Sequence, residues 1–228
     1  MSDMEALIER AQRRPDNERI EPTSGAAQGS AQWLFDRVGY CTGSRFGDVI
    51  KKLKSGKPSK ERENYAMELV IERITGQPSD HWTSSAMQWG TDQEQRSRME
   101  YEAATGAMVE QVGFIKHPTL KFVGCSPDGL IDDDGGYESK SPFNSVNQIY
   151  TLLKGMPEEH MAQCQGGMWI TARKWWDFQS FDPRLPAPLN RHCQRVVRDD
   201  KYIEQLEQEI ISFNAEVAAL VLRLQERK

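Results

Sequence analysis

The sequence predicts an α/β or α+β domain in which a central mixed sheet is flanked by helices. Helical patterns come first, a group of short strands follows after residue 107, and further helices are inserted between the later strands. This order is typical of helices packed on the faces of a sheet. The 228 residues are enough for one domain with a substantial core. We therefore expect residues 1–228 to form a single domain, with a short N-terminal helical extension and a long C-terminal helix.

The first half of the chain predicts helices separated by turns. We expect a short charged helix and a loop of small residues over residues 1–30, and a further helix that begins near Gln32. Residues 42–44 form a turn that leads into another helix. Residues 59–75 have apolar side chains at helical spacing and are followed by glycine, a common helix terminator. Residues 84–106 predict a further helix that also stops at a glycine.

The second half predicts strands and the remaining helices. Residues 107–118 alternate loosely between apolar and polar side chains, which indicates β structure. Residues 121–143 then predict three strands joined by two glycine-containing turns. The elements expected after them are helices at 145–154 and 158–172, two strands separated by a proline-rich loop, and a helix at about 199–226. Apolar residues in this last helix recur every three or four positions, so it packs on other helices of its own domain or, alternatively, on another subunit.

Composition and charge restrict the compartment and the class of partner. No apolar run approaches the roughly 18 residues that cross a bilayer, and the charged N-terminal segment does not resemble a signal peptide. We therefore expect a cytoplasmic protein without a membrane partner. The four cysteines are widely spaced and form no CxxC pair, so we expect reduced thiols and neither a zinc knuckle nor a redox motif. The net charge of −5 argues against a protein that merely coats nucleic acid.

One stretch is nevertheless basic. It contains Arg45, Lys51, Lys52 and Lys54, followed by Lys57 and Lys60. Two interpretations stay open, a solvated loop and a surface that contacts the phosphate backbone of DNA.

The residues that indicate chemistry are Asp128, Glu138 and Lys140. Asp128 lies at a turn that enters a strand, and Glu138 and Lys140 are two residues apart on the next strand. Because side chains alternate along a strand, Glu138 and Lys140 point to the same face. A hairpin between the strands would place Asp128 beside Glu138. An exposed turn aspartate with a surface Glu–Lys pair is the alternative for so short a motif.

Two neighbouring carboxylates repel each other unless a cation lies between them. Oxygen ligands of this kind are preferred by magnesium, and manganese accepts them as well. Hydrolysis of a phosphodiester uses such a site, in which a nearby lysine can orient the nucleophile or neutralise developing charge. The pattern predicts an Mg²⁺-dependent nuclease, in which Mn²⁺ substitutes.

The order of an aspartate and then Glu-x-Lys on adjacent strands resembles the PD-(D/E)xK nuclease superfamily. A closer resemblance, to the lambda-exonuclease family of YqaJ-type viral recombinases and phage alkaline exonucleases, extends over four blocks in family order. The blocks are residues 32–44, 89–94, 125–130 together with 138–143, and 161–171. The resemblance implies the nuclease fold of that superfamily, with a central mixed sheet flanked by helices.

The resemblance also implies roles for individual residues. Asp128, Glu138 and the backbone carbonyl of Ser139 would bind the metal, and Lys140 would be the catalytic lysine. The remaining implied positions are Glu94 and Gln163 beside the metal site, Arg37, Ser44 and Ser126 around a terminal 5′-phosphate, and Met87 as an apolar wedge between base pairs. Without the resemblance, a surface glutamate, a surface amide, a surface ion pair and a buried methionine are the plainer interpretations of Glu94, Gln163, Arg37 and Met87.

The expected activity is a 5′→3′ exonuclease acting on ends of linear double-stranded DNA. It would release mononucleotides and leave 3′ single-stranded overhangs for recombination by strand annealing. The resemblance further implies a phage or prophage origin, a single-strand annealing protein as partner and a homotrimeric ring. The alternatives are another nuclease of the superfamily, with endonuclease activity or a different end polarity, and a catalytically silent DNA-binding scaffold.

Overall fold

The computed structural model describes residues 25–79 and 84–227. The short charged helix predicted near the N-terminus lies outside the described residues. In this part of the chain seven α-helices are present: α1 (Ala31–Asp36), α2 (Phe46–Ile50), α3 (Lys60–Thr75), α4 (Ser85–Thr105), α5 (Ser145–Lys154), α6 (Met161–Thr171) and α7 (Asp200–Gln225). Short 3-10 turns at Gly43–Arg45 and Glu158–His160 precede α2 and α6. The helices predicted from spacing are thus confirmed.

The helix ends follow from local side-chain chemistry. The hydroxyls of Ser59 and Ser84 accept hydrogen bonds from the amides of Arg62 and Met87, and so cap the first turns of α3 and α4. Both helices end at a glycine in the left-handed conformation, with φ of 66° at Gly76 and 73° after α4. Glycine adopts this conformation without a steric penalty, which explains why the sequence located both ends.

The strands form two sheets rather than one. They are β1 (Cys41–Thr42), β2 (Ile115–Lys116), β3 (Val123–Cys125), β4 (Gly129–Ile131), β5 (Gly135–Lys140), β6 (Trp175–Phe181) and β7 (Arg191–Val197). One sheet has the order β1-β3-β2, and the larger has the order β4-β5-β6-β7. In the larger sheet β5 and β6 are parallel while the outer pairs are antiparallel, so the predicted mixed character is confirmed.

The prediction of β structure throughout residues 107–118 was too generous. Only Ile115–Lys116 is a strand, and Glu110 makes one isolated bridge with Leu130. Residues 112–115 are all buried, so this stretch lacks the inside–outside alternation of a half-buried strand. It packs as an irregular segment against the sheet instead.

The helices cover both faces of the larger sheet and enclose the core. Helix α4 packs against β5 and β6, and α6 packs against the same strands from the other face. Helix α7 packs on α2, α3 and α6 through its buried residues Ile203, Leu206, Ile210, Phe213 and Val217. The interpretation of its apolar seam as contact within the domain is therefore confirmed. Within residues 25–79 and 84–227, no helix combines the length and the apolar content that a membrane crossing needs.

Trp176 on β6 fits into a slot formed by two glycines. A Cβ atom added at Gly136 would lie 2.2 Å from its ring, and one added at Gly167 would lie 2.7 Å from it. Trp176 is 1% exposed, so the ring cannot turn outward into solvent without losing its burial. Close packing against this one indole therefore requires glycine at both positions.

We expect the substitution Gly136→Ala to lower the free energy of unfolding by about 1–3 kcal/mol, because the new methyl group overlaps a buried ring. Urea unfolding measures this loss. Gly90 in α4 is the matched control, since nothing lies within 4 Å of an added Cβ. Gly90→Ala is expected to raise stability by about 0.5–1 kcal/mol through the lower entropy of the unfolded chain. Equal free energies of unfolding for the two variants would contradict the close packing of Trp176 against Gly136.

Candidate active site

Three side chains meet where strand β5 ends. Asp128 lies immediately before β4, and the β4–β5 hairpin pairs Gly129 with Tyr137. The Oδ2 atom of Asp128 accepts a hydrogen bond of 2.7 Å from the backbone amide of Ser139. The ammonium of Lys140 donates to Oε1 of Glu138, two residues earlier on the same face. The arrangement expected from strand alternation and a hairpin is thus present.

Two helices contribute further side chains to this point. From α6, Gln163 Nε2 donates a 2.6 Å hydrogen bond to Oε1 of Glu138, the same atom that accepts from Lys140. From α4, Glu94 lines the same cleft as Asp128 and Lys140. Glu138, Lys140, Gln163 and Glu94 therefore converge from one strand and two helices, and neither Gln163 nor Glu94 is an isolated surface group.

Burial and mutual repulsion control the ionisation of the carboxyl groups. Burial raises the pKa of Glu138 to about 8, with a further contribution from Asp128, and Glu138 is only 2% exposed. Burial followed by the charge of Asp128 raises the pKa of Glu94 to about 7, and burial also raises the pKa of Asp128. Burial opposes the charge of Lys140, but the carboxylates of Glu138 and Asp128 outweigh it and raise its pKa. The site thus brings three acidic side chains close to one lysine, with Arg98 as a further positive charge near Glu94 and Asp128.

This donor set fits a hard divalent cation. No described residue donates a hydrogen bond to Oδ1 of Asp128 or to Oε2 of Glu138, which leaves one oxygen of each carboxylate for a ligand. A cation there would favour the charged forms of both carboxylates and offset the burial that raises both pKa values. In the described ranges no cluster of three or more His, Cys, Asp or Glu side chains could hold a metal by itself. Oxygens from the backbone, water or substrate would have to complete the coordination.

A cleft of about 670 Å³ opens above these groups. Residues at the start of α4 line one side, and those that follow β5, together with His160, line the other. Met87 is 56% exposed at this cleft, so it is not the buried methionine that the plainer interpretation expected. Burial, and then the charge of Lys140, lowers the pKa of His160 to about 4, so it is neutral at physiological pH.

A second group of polar side chains lies around Ser126, two residues before Asp128. Its hydroxyl accepts hydrogen bonds from Arg37 Nη1 at 3.2 Å and from Trp33 Nε1 at 3.0 Å. The guanidinium of Arg37 also stacks over the Trp33 ring at 4.1 Å. Ser44 contacts Thr42 at 3.4 Å and, among the described residues, does not bond to Arg37 or Ser126. The structure thus joins Arg37 to Ser126 directly, but not Ser44.

The basic stretch is largely engaged with the protein's own carboxylates. Arg45 pairs with Asp48 and Glu68 and stacks on Tyr65. The amino groups of Lys51 and Lys52 pair with Glu61 at 2.9 Å and Glu209 at 2.6 Å. Lys54 is exposed in the loop before α3. None of these cations lines the cleft, so the structure does not bring them to the carboxylates.

Some residues at the site were not singled out from the sequence. Trp33 could have been, because its spacing of four from Arg37 on a helix allows the stacking that is observed. A buried hydrogen-bond network behind Ser139 had no spacing pattern in the sequence by which it could be predicted. There Ser139 Oγ contacts Ser97 Oγ at 2.6 Å, and Gln179 Nε2 donates to Ser97 and Tyr137. The four described cysteines are free thiols, as expected, although Cys193 is exposed.

Comparison with known proteins identifies a family and similar solved structures. Residues 32–174 match the family model of the YqaJ-like viral recombinase domain. An alkaline exonuclease from Laribacter hongkongensis is similar over 87% of this chain and 97% of its own, with 39% sequence identity and a TM-score of 0.80. The structure of that enzyme in complex with dAMP is similar to the same extent.

A more distant structure supports the fold. A phage related exonuclease from Haemophilus somnus is similar over 81% of this chain and 96% of its own, with a TM-score of 0.64 and 12% identity. No curated protein matches the chain. The nuclease-like fold expected from the sequence is therefore confirmed.

Proposed function

The chain belongs to the family of YqaJ-like viral recombinase domains, and from this premise we propose that it is a magnesium-dependent 5′→3′ exonuclease on linear double-stranded DNA. It releases mononucleotides and leaves 3′ single-stranded overhangs that serve recombination by strand annealing. The observation that carries the proposal is the cluster of Asp128, Glu138, Lys140 and Gln163. Asp128 and Lys140 line the cleft, and Glu138 and Gln163 are hydrogen-bonded behind Lys140. The 39% identity to an alkaline exonuclease supports the choice of an exonuclease over other nucleases.

We assign a role to each residue of the site. Asp128 and Glu138 hold Mg²⁺ together with the backbone carbonyl of Ser139, and Mn²⁺ substitutes because it accepts the same oxygen ligands. When bound, the cation supplies Lewis-acid stabilisation of the charge that develops on the phosphate oxygens. Lys140 orients the attacking water and adds positive charge near the scissile phosphate. Gln163 holds the side chain of Glu138 in place through their 2.6 Å hydrogen bond. Glu94 forms part of the cleft wall that α4 contributes.

The group around Ser126 holds the terminal 5′-phosphate of the strand that is degraded. Arg37 contributes charge and a fork of donors, and the hydroxyls of Ser126 and Ser44 contribute neutral donors. Ser126 is two residues from Asp128, so a phosphate held there is next to the metal ligands. This proximity is what supports cleavage from a 5′ end. Met87, exposed at the cleft, is suited to part the last base pairs.

The remaining parts of the proposal concern partners and location. We place the enzyme in the cytoplasm of a bacterial host, encoded by a phage or prophage, with a single-strand annealing protein as its partner. A homotrimeric ring would enclose the duplex. In such an assembly the exposed cations of the loop before α3, Lys54 among them, are available to the phosphate backbone of DNA.

Removal of divalent cations is expected to abolish digestion. A linear duplex carrying one labelled 5′-phosphate is incubated with the protein in Mg²⁺, in Mn²⁺ and in excess EDTA, and the products are separated by length and charge. We expect labelled mononucleotide in both metals and none in EDTA, because the repelling carboxylates need a cation to bind the phosphate.

The same assay distinguishes the competing functions. Equal digestion of 5′-phosphate and 5′-hydroxyl ends, or cleavage of closed circles, would indicate another nuclease of the superfamily. Binding of duplex without any hydrolysis in either metal would indicate a silent scaffold.

A further inference from the structure

A single arginine beyond strand β6 connects both walls of the cleft. The Nε and Nη2 atoms of Arg184 donate to Oδ1 and Oδ2 of Asp182 at 2.7 and 2.9 Å. Its Nη2 and Nη1 atoms also donate to the backbone carbonyls of Pro142 at 2.9 Å and Phe143 at 3.0 Å. On its flat face the guanidinium stacks over the ring of Trp89 at 4.5 Å. One planar group therefore contacts three separate segments of the chain.

Two of these segments form the cleft. Pro142 lines it and lies two residues after Lys140. Trp89 is in α4, between Met87 and Glu94, which line the opposite side. The third contact, Asp182, is 0% exposed and so provides a fixed anchor for the guanidinium. Arg184 is thus tied to a buried carboxylate and reaches from it to each wall.

The segment after Lys140 depends on Arg184 because the sheet no longer holds it. The pairing of β5 with β6 ends at Lys140 and Ser180. Helix α5 begins only at Ser145, where the side chain of Asn144 caps it. Residues 141–143 therefore lie between two regular elements, and Pro142 has no amide to donate. The hydrogen bonds from Arg184 to the carbonyls of Pro142 and Phe143 take the place of the strand-pairing hydrogen bonds that end at Lys140.

We propose that Arg184 is a positioning residue that holds residues 141–143 and the first turns of α4 at a fixed separation. Through them it sets the distance across the cleft between Lys140 and Glu94. The inference deepens the proposed nuclease function and rests on it. An arginine is required, because lysine has no planar fork that could contact a carboxylate, two carbonyls and a ring together.

The chain offers a closely matched control. Arg195 donates to both oxygens of buried Asp177, each at 2.8 Å, and stacks over Trp175 at 3.6 Å. Asp177 pairs in register with Tyr137, so it lies on the sheet face opposite to Glu138. None of these contacts lines the cleft. Arg195 therefore has the same carboxylate and ring contacts as Arg184, without the two carbonyls.

The experiment compares R184K with R195K in two measurements. Backbone hydrogen exchange reports on the segment 141–147 and on the first turns of α4, and steady-state digestion of 5′-phosphorylated duplex reports kcat and KM. For R184K we expect faster exchange in both regions and a kcat lowered about 10-fold with KM little changed, because a displaced wall misaligns the reacting groups. For R195K we expect neither change.

Two outcomes would overturn the inference. One is unchanged exchange and kcat in R184K, and the other is an equal fall of kcat in R195K. Should R184K be unfolded at the assay temperature, the double variant D182N/R184Q replaces it, since it leaves no unpaired buried carboxylate. A wild-type protein that does not digest DNA would refute the proposed function alone, because the exchange measurement still decides whether Arg184 holds the two walls.

Discussion

Replacement of Glu138 by glutamine is expected to lower the rate of DNA hydrolysis at least about 1,000-fold, since it removes several kcal/mol of charge-dependent stabilisation from the metal site. Glutamine has nearly the same shape and retains a carbonyl oxygen for the hydrogen bonds from Lys140 and Gln163. It cannot carry the negative charge that a divalent cation requires. The rate is measured by single-turnover release of labelled mononucleotide in Mg²⁺.

In the absence of metal, the stability of the same variant should depend on pH less than that of the wild type does. Burial raises the pKa of Glu138 to about 8, above its ordinary value, so the folded state binds a proton that the unfolded state has lost at intermediate pH. The stability contributed by Glu138 is full below the ordinary pKa and is lost as pH rises through about 8. Glutamine never ionises. In thermal unfolding in EDTA, the stability of E138Q relative to the wild type should therefore rise as the pH increases through about 8.

Glu63 provides the control for this prediction. It is exposed on α3, paired only with Lys60 at 3.2 Å among the described residues, and E63Q changes charge by the same amount. We expect E63Q to digest DNA as fast as the wild type. An E138Q protein with the rate of E63Q would exclude Glu138 from the reaction and remove the mechanism proposed above.

Replacement of Arg37 by glutamine is expected to lower digestion of 5′-phosphorylated duplex by about 10- to 100-fold, since a charge-assisted contact with phosphate contributes about 1.5–3 kcal/mol. Digestion of 5′-hydroxyl duplex should be almost unchanged, so the preference for phosphate disappears. The measurement is kcat/KM on two duplexes that differ only in whether the digested 5′ end carries a phosphate or a hydroxyl.

Two further variants test whether the lower rate of R37Q comes from a lost contact with the terminal 5′-phosphate. S126A removes the hydroxyl that accepts from Arg37 and Trp33, and should give a smaller loss of the same preference. R73Q alters another partly buried arginine, which stacks on Phe122 at 4.3 Å and does not line the cleft. The R73Q variant should still prefer 5′-phosphorylated duplex over 5′-hydroxyl duplex. A parallel loss on both ends in R37Q would instead mean that Arg37 only supports the fold.

Local features of the sequence determined most of the elements and the centre of the site. Serine caps and terminal glycines fixed the ends of α3 and α4, because both act within one helical turn. The spacing of Glu138 and Lys140 placed them on one face, because alternation is a property of any single strand. Asp128 followed from a short hairpin to the next strand. These signals require only neighbours along the chain.

Contacts between distant residues were decided by tertiary structure alone. Lys52 is paired with Glu209, 157 positions away, which changes how a basic stretch can be interpreted. Trp33 meets Ser126 across 93 positions, and Arg184 meets Phe143 across 41. Which carboxylate, hydroxyl or carbonyl satisfies a given donor depends on how helices and sheets pack, and hydrophobic burial drives that packing without regard to sequence distance. The sequence thus determined the chemistry of the site, while packing determined which residues hold it in place.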